Sequence, residues 1–172
     1  MREAGVGQRR KILDGGGDVG GRGTESAGAQ LDRFLSAYTP EIEAFARKAL
    51  ATMRKRLPHA VEMVYDNYNA LVCGFGPTER ASEAVFSIAV YPKWVTLFFL
   101  QGAELPDPKG LLEGSAKVVR SIRLVDEKML DRADVKAMMA LALKMAEVQM
   151  DPKAEYRMVI KSVSAKRRPR RV

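Results

Sequence analysis

The chain has 172 residues, 47% of them hydrophobic, with one cysteine, one histidine and a formal net charge of +8. That length suits one domain around one core. A single cysteine excludes an intramolecular disulfide, and one histidine beside it excludes a zinc or other soft-ligand cluster.

The charge is uneven. Residues 1–29 hold five basic and four acidic side chains, residues 30–150 sixteen and fifteen, and residues 151–172 eight and two. The basic excess belongs to the C-terminal end, and the body of the domain is nearly neutral. No apolar run approaches the ~20 residues of a membrane span. The N-terminus has basic residues but no apolar segment of signal-peptide type. Together with the cysteine usage, this predicts a cytoplasmic protein without membrane contact.

Residues 1–29 contain nine of the fourteen glycines and almost no large apolar side chain. Such a segment buries too little surface to offset its ordering entropy, so it reads as a disordered Gly-rich tail. Gly15 to Gly20 match G-x-G-x-x-G, but no strand precedes the match and no helix follows, so a phosphate loop is not expected. A single domain is expected over residues 30–163, and a basic tail over residues 164–172.

Leu31, Phe34 and Leu35 predict a short first helix. Thr39-Pro40-Glu41 then supplies a cap, a proline at the first helical position and an acid in the first turn. Ile42, Phe45, Ala46, Ala49, Leu50, Met53 and Leu57 follow at helical spacing, and Pro58 ends the helix. Four β-type runs come next, over 60–66, 70–75, 83–91 and 94–101, with turns between them too short for helices. They predict an antiparallel meander. Residues 101–115 read as a loop, 117–124 as a further strand and 132–148 as a last helix. Met158-Val159-Ile160 reads as an extended segment. The predicted fold is α+β, two-layer, with an antiparallel sheet packed against N-terminal and C-terminal helices.

The chemistry these residues allow is limited. His59, between Pro58 and a strand, and Cys73, alternating with apolar neighbours, are expected to be structural. No nucleophile, acid/base pair, metal set or cofactor motif can be assembled, so an enzyme is not expected. Arg120 shares a strand face with Val118 and Ile122, and an inward arginine needs a carboxylate partner. Glu62 and Asp66 are the natural partners. With Tyr65, Asn67, Asn69, Lys93 and Trp94 they would line a polar cleft at the sheet edge. Lys166, Arg167, Arg168, Arg170 and Arg171 form a second candidate, a cluster that attracts phosphate or an acidic partner without sequence specificity.

The run YTPEI, LPHAVEMVYDNYNALVCGFGPTERASEAVFSIAVYP, WVTLFFLQG, LPDPKGLLEGSAKVVRSIRL and SVSAKRRPRR resembles the YdhG-like family, over about Gln30 to Arg171. The resemblance implies a frataxin-like architecture, and one branch of that family is described as an iron chaperone. Against iron, the first long helix has Glu41 and Glu43 but then Arg47, Lys48, Arg54, Lys55 and Arg56. The leading expectation is a non-enzymatic binding or accessory protein that uses the sheet-edge cleft for a small ligand or a protein. The alternatives are an iron chaperone of frataxin type and nucleic-acid or acidic-partner contact through the basic tail.

Overall fold

The computed structural model describes residues 23–172. The expectations for the Gly-rich segment and its G-x-G-x-x-G match fall on residues outside that range, apart from the last few. Ser26 caps helix α1 (Ala27–Leu35) by accepting a hydrogen bond from the Ala29 amide at 3.1 Å. The domain therefore starts a few residues before Gln30. Leu31, Phe34 and Leu35 are buried on one stripe. Helix α2 (Pro40–Arg56) follows the sequence signals closely. Thr39 caps it, Pro40 opens it, and Ala46, Ala49, Leu50 and Met53 form its buried face.

Six strands follow the order β5-β4-β3-β2-β1-β6 in one sheet. They are β1 (Val61–Asp66), β2 (Leu71–Gly76), β3 (Phe86–Val90), β4 (Val95–Phe99), β5 (Arg120–Leu124) and β6 (Arg157–Val163). Strands β1 to β5 pair antiparallel, as the meander predicts. The sixth pairs parallel to β1, so the sheet is mixed. The fold is α+β, with helix α3 (Ala133–Met145) carrying the chain back to the β1 edge.

All three helices pack on the sheet face that carries Leu71, Cys73, Phe75, Ile88, Leu97 and Ile122. By strand alternation, Tyr65, Thr96, Phe98 and Arg123 point to the other face. A small cluster of Val61, Met63 and Ala84, flanked by Tyr65, Leu100 and Val159, lies there. Among the described residues, helices cover strand β4 on its Leu97 face; on the other face Thr96 is buried and Phe98 partly exposed. Strand β3 starts later than the expected run because Ala81–Glu83 forms a 3₁₀ turn. The start of β5 is fixed by a close approach: a Cβ on Gly102 would lie 2.6 Å from the Arg120 Cβ.

Candidate functional site

The sheet order separates the residues expected to share a cleft. Arg120 lies on β5 and Glu62 and Asp66 on β1, with β4, β3 and β2 between them. Four strand spacings amount to about 19 Å, beyond any side chain's reach. Arg120 instead donates to the carbonyls of Val119 at 2.8 Å and of Ala116. Its partners are backbone oxygens, and the cleft anchored on an Arg120 ion pair does not exist.

Glu62 and Asp66 do face inward, and each has another arginine. Glu62 is fully buried, and its two oxygens accept from Nε and Nη2 along one edge of the Arg54 guanidinium, at 2.7 and 3.0 Å. Tyr156 donates to the same carboxylate. Cys73 lies nearby, and burial, then the negative charge of Glu62, pushes its thiol well up from the ordinary range. The Tyr156 phenol is also pushed up, by burial first and then by its hydrogen bond to Glu62. No buried side-chain nitrogen or oxygen of this cluster lacks a hydrogen-bond partner among the described residues.

Asp66 holds the C-terminal segment. Its two oxygens take Arg167 Nη1 at 2.5 Å and Arg170 Nη2 at 3.0 Å. Arg170 is 6% exposed and also donates to the Asn67 carbonyl at 2.6 Å. Arg171 donates to the carbonyls of Tyr38 and Ser36, both at 2.9 Å. The segment after Val163 is thus a strap across the end of the sheet and not a separate tail. Of the five cations expected to act as a free cluster, Arg167, Arg170 and Arg171 are internal contacts. Only Arg170 of these is buried; Lys166 and Arg168 are exposed and make no ion pair among the described residues. Beneath the strap, the buried Tyr38 hydroxyl donates to the Val90 carbonyl at 2.7 Å and accepts from the Leu71 amide at 3.1 Å. Burial raises its ionisation to about 12.

Part of the expected set is brought together by this strap. The β1–β2 and β3–β4 turns lie at the same end of the sheet. Asn69, Lys93 and Trp94 there meet Arg168, Pro169 and Val172 around an open hollow of about 380 Å³. The Tyr91 and Trp94 rings stack at 4.9 Å and 22°. Arg123 lies over Trp94, 4.5 Å from the ring centroid. Arg168 Nη1 reaches Asn69 Oδ1 at 3.5 Å, and its amide donates to the Tyr68 carbonyl at 2.9 Å. Tyr65 lies on the helix-free sheet face, and Asn67 serves the strap through its carbonyl. Lys93, Arg123 and Arg168 are exposed, and no Asp or Glu side chain lines this hollow.

Sequence patterning alone does not mark Tyr91, Arg123 and Tyr38 as site residues. The Tyr91-Pro-Lys-Trp94 spacing carries the signal for the first. Two aromatic residues flanking a two-residue turn fall on one face and stack. A second hollow, of about 300 Å³, lies between α3 and the β3 and β4 ends. Val85, Phe99 and Leu105 line it, with Glu83, Glu104 and Glu147 around it. Its charge is opposite to that of the first. No group of three or more His, Cys, Asp or Glu able to hold a metal ion occurs among the described residues. No described helix is long and apolar enough to cross a membrane. Comparison with family models, curated proteins and solved structures gave no match.

Proposed function

We propose that this protein is a non-enzymatic binding module for an anionic partner. Its contact surface is the end of the sheet where the two hairpin turns and the C-terminal strap meet. The observation that carries the reading is the hollow beside Trp94, with Lys93 and Arg168 exposed at its edge and no acidic side chain in its lining. Cations left without an acidic partner beside a concave, partly apolar surface are what an anion needs. The resemblance to the YdhG-like family is compatible with this reading and names no catalytic residue against it.

Nothing favours the iron-chaperone alternative. Along α2, Arg47 takes Glu43, Lys48 takes Glu127 and Arg56 takes Asp131, so these three carboxylates already have cationic partners. The test of the leading reading is calorimetry of the full chain with a heparin oligosaccharide and with polyphosphate. The double variant Lys93→Ala, Arg168→Ala is expected to bind at least tenfold more weakly at unchanged thermal stability. Equal binding by the double variant overturns the assignment of the surface.

A further inference from the structure

We infer that the anionic partner is single-stranded nucleic acid, laid across the helix-free face of the sheet and continuing into the hollow beside Trp94. The inference rests on the anion-binding reading above and names the partner's class.

The first observation is the distribution of charge between the two sheet faces. The six strands contain two carboxylates, Glu62 and Asp66, and both face the helices, where arginines saturate them. On the opposite face every strand position is apolar, small, hydroxyl-bearing or basic. One row runs from Tyr65 through Val72, Ala89 and Thr96 to Arg123. The next runs from Met63 through Gly74, Ser87 and Phe98 to Ser121. At the far margin Arg157 is held by Glu79, and Lys161 is exposed. The six strands place no carboxylate on this face, and Arg123 and Lys161 stand at its two edges. Glu113, bridged to Ser121, is the one acid added at the β5 margin among the described bridges, and that balance suits a polyanion.

The second observation is the kind of apolar surface between those cations. Tyr65, Tyr91, Trp94 and Phe98 are partly exposed, and the first and last stand three strands apart with small side chains between. Three strand spacings are about 14 Å. A simple polyanion such as polyphosphate has no face to stack on a ring. A duplex hides the faces of its bases. An unpaired strand offers both a phosphate backbone and free base faces, and aromatic platforms flanked by cations serve both. Trp94, clamped by Tyr91 and Arg123, is a rigid edge to this floor. Lys93 and Arg168 extend the cationic margin past the turn.

The experiment uses the full chain and three probes of matched charge: a thymidylate 12-mer, an abasic deoxyribose-phosphate strand of the same length and an acidic peptide. The readouts are anisotropy and the fluorescence of Trp94, the only tryptophan. The thymidylate strand is expected to bind roughly tenfold or more tighter than the abasic strand and to change Trp94 emission. With three to five phosphate contacts, the logarithm of affinity should fall against the logarithm of salt with a slope of about −2 to −3.5. Phe98→Leu keeps an apolar side chain but removes the ring. It should erase most of the difference between the two strands while leaving abasic binding unchanged. Equal affinity for the two strands overturns the inference and leaves the anion-binding reading standing. Binding of the acidic peptide alone also overturns it and makes the partner a protein. No binding of any probe overturns both.

Discussion

Arg170 reaches back 104 residues to Asp66, and the two meet with Nη2 3.0 Å from Oδ1, almost wholly out of solvent. A basic C-terminal run thus becomes part of the folded body. Replacing Arg170 with Met leaves Asp66 buried with only Arg167 beside it. Breaking a buried pair costs about 3–5 kcal/mol, less here because Arg167 remains. Urea unfolding should show a loss of at least ~2 kcal/mol, and truncation after Val163 a larger one. A truncated chain as stable as the full one would refute the role given to the strap.

Tyr38 ties the ends of β2 and β3 to the loop after α1. Tyr38→Phe leaves the Leu71 amide and the Val90 carbonyl without that hydroxyl in a buried setting, a cost of about 1–3 kcal/mol. The phenol also gives a pH signature. Its ordinary value is 10.0 and burial raises it to about 12. Between these values the unfolded chain has lost the proton and the folded chain keeps it. Stability from this group is therefore complete below about pH 10 and falls as pH rises towards 12. Denaturation curves across that window should be flatter with pH for Tyr38→Phe than for the parent.

Among the described residues, Arg54 is the one cation paired with the fully buried Glu62. Arg54→Met should destabilise by about 3–5 kcal/mol, and the double change Arg54→Met, Glu62→Leu should recover much of that. A double-mutant cycle read by denaturant unfolding checks it.

The thiol of Cys73 is buried and held protonated, so it should resist a disulfide reagent until the sheet opens. The labelling rate should track global unfolding and rise with urea. Fast labelling in native buffer would show local opening of β2.

Arg120 and Gly102 give a contrasting pair. Arg120→Met should change stability by no more than ~1 kcal/mol, because its partners are backbone oxygens at the sheet margin. Gly102→Ala pushes a methyl against the Arg120 Cβ and the Phe99 Cβ, and should cost about 1–3 kcal/mol by overpacking. Thermal unfolding of the two variants separates them.

The elements were legible because their signals are local. Thr39-Pro40-Glu41 fixes the start of α2, and Tyr91-Pro92-Lys93-Trp94 fixes the β3–β4 turn. Pairing between distant segments was not legible. Alternation shows that Glu62, Asp66 and Arg120 point inward, but it does not say which strands are neighbours. The order β5-β4-β3-β2-β1-β6 decides that, and it puts three strands between Arg120 and β1. Net charge misled in the same way. The C-terminal arginines read as a free cluster because their partners, Asp66 and the carbonyls of Ser36, Tyr38 and Asn67, lie roughly a hundred or more residues earlier.

The parallel seam between β1 and β6 also sets an order in time. Strand β1 emerges from the ribosome early, together with Glu62 and Asp66. Tyr156, Arg167 and Arg170, which complete the surroundings of those carboxylates, are made roughly a hundred residues later. At roughly 5–20 residues per second that is a delay on the order of 5–20 s. Throughout it, the β1 edge is an open row of backbone donors and acceptors, available to any other extended chain. Asp66, still charged and without its arginines, resists being buried by a wrong neighbour during that interval. The same acid that later fastens the strap guards the edge while the nascent chain waits for it.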